Sequence, residues 1–470
     1  MNREYTLVID GASVAGDNGS FDVLNPATEA VVAACPCASV GQLDAAVAAA
    51  GEAFKQWQFS SDDARKKLLH DIADKIEAHA AELAGIVVAE QGKPMFLAQA
   101  EVGGAVAWTR ATAELDIPVE VIEDSPGKRI EMHRKPLGVV GSITPWNWPL
   151  MIAVWHIMPA LRTGNTVVIK PSEYTPLNTL RLVELINEVA PKGVVNVVTG
   201  MGDIGRAMSV HARINKIVFT GSTATGKDIM FHAANNLKRL TLELGGNDAG
   251  IVLPGTDVDA VALPIFQGAF LNMGQTCAAL KRLYVHDSIY EDMCDKLAGI
   301  AQQQQLGDGM DANTTFGPVQ NKKQLQIVSN LVEDAKENGA RILCGGERLA
   351  GSGYFYPPTI IADANDGMRI VDEEQFGPVL PVIRYSDVDD AVRRANDCDA
   401  GLGGSVWGPD VESAKQVATR LECGTVWVNG HAEVLPNAPF GGCKMSGFGV
   451  EFGVEGLLEY TSPQLLNINK

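Results

Sequence analysis

The chain is short of cysteine, of basic side chains and of long apolar runs, and each shortage removes a class of protein. Eight cysteines in 470 residues are too sparse for a disulfide scaffold, and none pairs as Cys-x-x-Cys or with a nearby histidine as zinc ligands would. They read as free thiols. His431-Ala-Glu433 offers two ligand types with no third nearby, so no metal is expected. Only 38 Lys and Arg face 57 Asp and Glu, a formal charge of -19, and such a surface repels phosphate backbones and anionic lipid. No nucleic acid and no membrane is expected as a partner. The longest apolar stretch, Leu150 to Leu161, is interrupted by His156 and falls well short of the roughly twenty residues that cross a bilayer. The opening Met-Asn-Arg-Glu-Tyr lacks an apolar signal core, and the expected location is cytoplasmic. No fixed-period repeat or low-complexity tract occurs.

What remains is an ordinary globular composition, 46% hydrophobic and 20% charged, in a chain long enough for two or three domains. Up to residue 115 it reads as helical after a short stranded start. Leu43, Val47, Ala50, Phe54 and Trp57 share one helix face. So do Leu69, Ile72, Ile76, His79, Leu83 and Ile86, which predicts one continuous stripe with His79 as a core or rim residue. Ser39 and Ser61 are the expected N-caps. From Pro136 the texture changes to apolar β-branched runs at 138–144, 166–170, 194–198 and 216–220, separated by helical segments. That alternation predicts parallel strands of a doubly wound sheet, buried on both faces. A second α/β series follows residue 246, with runs at 282–285, 379–383, 404–407 and 425–428. Val119 to Arg134, with Ser-Pro-Gly at 125–127, predicts an exposed hairpin, and Glu459 to Ile468 a terminal strand. Exposed strands are usually paired or covered, so the two are expected to meet across a subunit boundary of a homodimer or homotetramer.

Three segments carry chemistry. Cys277 follows Gly274-Gln-Thr and is either a buried small hydrophobe or a nucleophile. Glu243, between leucines and ahead of Gly245-Gly246, is either a general base with a raised pKa or a strand-end ion-pair partner. Asn147, in Thr144-Pro-Trp-Asn-Trp-Pro at the end of the first parallel strand, is either an oxyanion donor or a helix cap.

These segments, with Lys170-Pro-Ser-Glu, Phe219-Thr-Gly-Ser-Thr-Ala-Thr-Gly, Glu373-Glu-Gln-Phe-Gly-Pro and Pro439-Phe-Gly-Gly-Cys-Lys-Met-Ser-Gly, make the chain resemble the NAD(P)-dependent aldehyde dehydrogenase superfamily over nearly its whole length. The resemblance implies an α/β fold: a discontinuous Rossmann-type NAD domain (1–117 and 137–245), a catalytic domain (246–445) and oligomerisation segments (118–136 and 455–470). It implies Cys277 as nucleophile, Glu243 as base for the deacylating water, and Asn147 with the Cys277 backbone N–H as oxyanion donors. It also implies a cofactor site: Lys170 and Glu173 for the adenosine ribose, Trp146 and Ser222 at the pyrophosphate with the phosphate loop Gly221 to Gly226, Glu374 and Phe376 for the nicotinamide ribose and ring, and Thr144 and Leu244 as further cofactor-binding residues. Glu173 would repel a 2′-phosphate, so NAD is expected over NADP, with NADP accepted only if Glu173 turns away from Lys170. Gly200-Met-Gly-Asp-Ile-Gly205 matches the dinucleotide fingerprint but lacks the acid about twenty residues on, and is assigned to a turn. Seven cysteines are read as having no catalytic part, with Cys443 kept only as an oxidation site.

The substrate lining implied by the resemblance comprises Trp148, Met151, Ile152, Trp155, Leu271, Thr276, Ala278 and residues 431–438. It is apolar and lacks arginine. An uncharged aliphatic or aromatic aldehyde is therefore expected as the small-molecule partner. Trp148 and Trp155 match the spacing of betaine aldehyde dehydrogenases, but Leu271 and Phe440 depart from that aromatic box. A semialdehyde, a CoA-acylating reaction and a non-catalytic member are the remaining alternatives, and Glu243 argues against the last two.

Overall fold

Val167, Val168 and Ile169 are fully buried, as expected of a strand covered on both faces. They lie in an eight-stranded sheet of a computed structural model that describes residues 3–470. Five parallel strands form its centre, in the order Val195–Val197, Thr166–Lys170, Val139–Ile143, Lys216–Thr220 and Arg239–Glu243. The antiparallel pair Leu7–Ile9 and Ala12–Val14 closes one edge, and Gly447–Phe448 returns from late in the chain to close the other. The strand order runs outward from Val139–Ile143 to one side, then resumes on its other side at Lys216–Thr220. That reversal is a topological switch point, where the loops leaving adjacent strands diverge and leave a crevice.

A second sheet has seven strands: Arg341–Cys344, Thr359–Ala364, Val379–Tyr385, Leu280–His286, Asp248–Val252, Gly403–Trp407 and Thr425–Val428. All pair in parallel except the antiparallel edge Arg341–Cys344. Four residues, 244–247, connect the last parallel strand of the first sheet to the middle of the second. Of these strands, Arg239–Glu243, Asp248–Val252, Arg341–Cys344, Thr359–Ala364 and Gly447–Phe448 are missing from the runs read in sequence. Charged or small residues such as Arg239, Asp248 and Gly250 dilute their apolar pattern.

Two expectations are corrected. The stripe from Leu69 to Ile86 is not one helix: Asp62–Ala78 and Ala80–Gln91 are separate, broken at His79 with φ -112° and ψ 19°. The apolar periodicity runs on across the break because both helices bury the same side, so it cannot mark the interruption. Ser39 and Ser61 do cap Val40–Trp57 and Asp62–Ala78, each accepting a backbone N–H three residues on. The second correction concerns the exposed strands. Glu120–Ser125 and Lys128–Pro136 form the hairpin, but Thr461–Asn469 pairs with Lys128–Pro136 of the same chain, in register over all nine residues. Pairing within the chain puts Lys128–Pro136 at the centre of a three-stranded sheet, with Glu120–Ser125 and Thr461–Asn469 as its two outer strands.

Candidate active site

The crevice at the switch point is lined from three directions. The loop after Val139–Ile143 supplies Trp146 and Asn147; the loop after Lys216–Thr220 supplies Gly221 and Ser222; the second sheet supplies Cys277, Glu374 and Phe376. All seven border one cavity of about 210 Å3, with Leu244 and Gln324.

Cys277 is carried there by an unusual turn. Asn272, Met273 and Gly274 take three successive positive φ values, 52°, 56° and 70°, a conformation that costs non-glycine residues free energy and persists only under tight constraint. The constraint is visible. Asn272 donates to Asn147 O at 2.8 Å, Gln275 Nε2 to Asn272 O at 3.2 Å, and Lys281 Nζ to Thr276 O at 2.6 Å. Burial pushes the Cys277 thiol up to about 12; Lys281 pulls it down while Glu243, Glu374 and Asp248 push it further up.

Asn147 is buried, and its amide donates to Gln275 O at 2.9 Å, which uses one of its two N–H groups. Its own carbonyl is held by Lys93 at 3.1 Å as well as by Asn272. Lys93 in turn pairs with Glu101 at 2.5 Å, both side chains wholly buried, and Glu101 accepts the free N–H groups of Leu150 and Met151 at the start of helix Pro149–Arg162. A buried charge pair with its remaining valences filled holds geometry rather than adding much stability. Here it fixes the loop on which Asn147 rides.

Glu243 ends its strand fully buried, with Oε1 lacking any partner. Burial raises its pKa well above the usual carboxylate value, and Glu451 adds like-charge repulsion. Glu374 accepts from Gly246 N at 3.1 Å and lies 3.5 Å from Lys281; burial raises it too, against the pull of Lys281. A Cβ on Gly245 would come within 2.3 Å of Glu374 Oε2, so this glycine makes room for the carboxylate. Phe376 meets Trp146 edge-on at 5.3 Å.

A model of the Aldehyde dehydrogenase family matches residues 13–466. The chain belongs to that family. It is 39% identical to the mitochondrial aldehyde dehydrogenase of Leishmania tarentolae, over 98% of this chain and 94% of that one. It is 38% identical to human retinaldehyde dehydrogenase 3, over 95% and 89%. An aldehyde dehydrogenase of Bacillus cereus, solved as its NAD+ complex, superimposes with a TM-score of 0.97 at 39% identity, over 100% and 97% of the two chains. The protein is thus an oxidoreductase with the aldehyde dehydrogenase fold.

The other residues singled out in the sequence lie around this cavity or beyond it. Lys170 ends the strand beside Val139–Ile143, buried, with Nζ donating to Pro171 O at 3.0 Å, and burial lowers its pKa. Glu173 borders a separate, larger cleft of about 870 Å3 together with Met201 and Tyr174. Thr144 Oγ1 is buried without a partner. Ser222 caps helix Thr223–Ala233, and Gly226 in its first turn faces Leu244, which a Cβ would meet at 2.6 Å. The 200–205 glycines form a turn and open helix Gly202–Val210; Gly205 packs on the Lys170 side chain, whereas Gly202 faces open space.

On the far side of Cys277, Trp148 donates to Thr276 Oγ1 at 2.9 Å under the Lys93 ammonium, 3.7 Å from its ring. Met151 packs on Gly104, and Ala278 packs with Phe440 beside Cys277 and Phe452. Trp155 meets Phe452 at 4.7 Å and Trp108 at 5.8 Å. Leu271 instead lines a neighbouring cavity of about 590 Å3 with Phe96, Phe270 and Met273. Sequence reasoning missed Trp108, Phe452, Lys281 and Glu451. Each lies in a segment without a motif of its own, and only packing brings it to the site. His156, read only as a break in an apolar run, is buried between Ser142 Oγ at 2.9 Å and Thr220 Oγ1 at 3.0 Å, with Glu451 at 3.3 Å.

Proposed function

We propose that this chain oxidises an uncharged, apolar aliphatic or aromatic aldehyde to the carboxylic acid with NAD, using Cys277, Glu243 and Asn147. The observation that carries the reading is the single cavity in which Cys277 and Asn147 meet Trp146, Ser222, Glu374 and Phe376. The residues fit a dinucleotide. Ser222 sits at the N-terminus of an eleven-residue helix, a natural phosphate site; Thr144 Oγ1 is an unpartnered buried hydroxyl; and Gly245 leaves space beside Glu374. NAD, when bound there, would supply the hydride acceptor and a positively charged ring.

The chain's own residues supply the rest. The Cys277 thiolate attacks the aldehyde carbon, and the oxyanion is held by the second N–H of Asn147 and the backbone N–H of Cys277, roughly 3 kcal/mol for such a donor. Loss of hydride from the thiohemiacetal leaves a thioester on Cys277. Glu243 takes a proton from the water that cleaves it, a task suited to a carboxyl whose pKa is raised toward neutrality. The carboxylate of Glu173 supports NAD over NADP. NADP would require Glu173 to turn away and Lys170 Nζ to leave Pro171 O.

The row of Trp148, Trp155, Trp108, Phe440 and Phe452 supports an apolar substrate. The cation on the Trp148 ring, Lys93, is neutralised by Glu101. The name of the human relative, a retinaldehyde dehydrogenase, points to the same substrate class. The exposed outer strands Glu120–Ser125 and Thr461–Asn469 support assembly into a homodimer or homotetramer through an open edge of the three-stranded sheet. The test is NADH release across hexanal, benzaldehyde, succinic semialdehyde and betaine aldehyde, with and without CoA. Hexanal or benzaldehyde should give the highest kcat/KM, independent of CoA, and Cys277→Ser should abolish turnover. Best turnover of the charged aldehydes, or an acyl-CoA product, overturns the reading.

A further inference from the structure

Behind Cys277 lies a second buried polar group that the reaction above does not use. Gly246 separates the Cys277 carbonyl from the Asp248 carboxylate so closely that a Cβ there would come within 2.6 Å of one and 2.7 Å of the other. Asp248 is 1% exposed. Its Oδ1 accepts from Gly403 N at 3.1 Å, while Oδ2 has no partner. Facing Oδ2 at 3.7 Å is Nε2 of His431, whose side chain is wholly buried and whose two ring nitrogens are both unpartnered. The ring leans on Trp427 at 4.9 Å and faces the backbone of Ala278, the residue after Cys277.

Two glycines make the space. A Cβ on Gly268 would meet His431 Cβ at 2.9 Å, and one on Gly403 would meet Asp248 Oδ2 at 2.3 Å. Unpaired polar atoms this deep cost free energy unless they serve one another. A relative shift of about half an ångström brings Oδ2 and Nε2 within hydrogen-bond range. No third metal-ligating side chain joins them among the described residues.

We propose that Asp248 and His431 are positioning residues for the nucleophile, a buried acid–imidazole pair that shares one proton and so sets how much negative charge stands behind the Cys277 thiol. The proposal rests on Cys277 being the nucleophile and adds a control on its ionisation. The groups facing Asp248 are Lys281, Arg282, Glu374, Cys277, Cys423 and His431; those facing His431 are Lys281 and Asp248. Burial pushes Asp248 up to about 7 and holds His431 down to about 3. The imidazole is therefore neutral and accepts, and the carboxyl donates while it keeps its proton. Protonated Asp248 leaves the Lys281 charge unopposed from that side, which favours the thiolate; ionised Asp248 opposes it.

The test is the pH dependence of Cys277 alkylation by iodoacetamide in the full-length protein, read by peptide mass spectrometry that separates it from the other seven thiols. Asp248→Asn, which keeps the shape and removes the charge, should lower the midpoint by about one pH unit. At the thiol midpoint Asp248 is ionised, and His431→Phe removes the ring N–H that can donate to it and screen its charge, so it should raise the midpoint. In the double variant His431→Phe should have no further effect, and His431→Gln should restore a near-native midpoint. An unshifted midpoint in folded Asp248→Asn overturns the proposal, as does a His431→Phe shift that persists undiminished beside Asp248→Asn. Should Asp248→Asn fail to fold, the two His431 variants still test it, because an unchanged midpoint in both is equally fatal. Alkylation needs no turnover, so its outcome is separate from loss of NADH production by Cys277→Ser.

Discussion

Truncating Asn147 to alanine separates its chemical part from its structural one. The loop's anchors act on the Asn147 carbonyl, through Lys93 at 3.1 Å and Asn272 at 2.8 Å, and survive the change. What disappears is the side-chain amide: one N–H bonded to Gln275 O at 2.9 Å and a second free to meet an oxyanion. Losing the first costs about 1 kcal/mol of stability. Losing the second removes about 3 kcal/mol of transition-state stabilisation, or roughly a hundredfold to two-hundredfold in kcat. Because the interaction exists only once charge develops on oxygen, KM for the aldehyde should change little. Stopped-flow NADH formation should show the fall in the first turnover, and calorimetry only a small drop in Tm. A kcat within about fivefold of wild type in a folded variant would refute the assignment; an equal fall in Tm and activity would make Asn147 a loop anchor alone.

Four further outcomes follow from the same geometry. Glu451 pushes Glu243 upward, so activity that needs ionised Glu243 should fall as pH drops through a midpoint above the ordinary carboxylate range, and Glu451→Gln should move that limb of the kcat profile to lower pH; an unmoved limb would show that the limb does not report Glu243. The raised pKa also makes the protonated form the stabilising one, so the stability Glu243 contributes is lost as pH rises through that midpoint, and Glu243→Gln should raise Tm most on the alkaline side. Lys93→Met leaves Glu101 as an unpaired buried carboxylate and should cost about 3 to 5 kcal/mol in urea unfolding, where a cost under 1 kcal/mol would mean water reaches the pair. Gly202→Ala enters open space and should leave KM for NAD near wild type, whereas Ser222→Trp at the helix cap should raise it at least tenfold; comparable effects would put the 200–205 glycines back in the phosphate site.

The family motifs were legible because each is a contiguous run of a few residues: a cysteine after Gly-Gln-Thr, a glutamate before paired glycines, an asparagine between prolines. So were strands such as Thr166–Lys170, whose burial on both faces demands an unbroken apolar run. The break at His79 was not, because two helices burying one side keep the same periodicity. Nor was the partner of the terminal strand, since open edges complement one another within a chain as readily as between chains. Trp108, Phe452 and Glu451 carry no local signal at all, and reach the site through helix packing and through the return of residues 440–451 to the edge of the first sheet.

Sequence alone therefore determined the family and the α/β composition, and it named the residues proposed to react, because these depend on residue type and short spacing. Tertiary structure decided what surrounds them: the desolvation that lifts Cys277 and Glu243, the ion pair that steadies Asn147, and the Asp248 and His431 side chains facing each other behind Cys277. Burial and charge proximity are sums over residues distant in the chain, and no local pattern in the sequence encodes them.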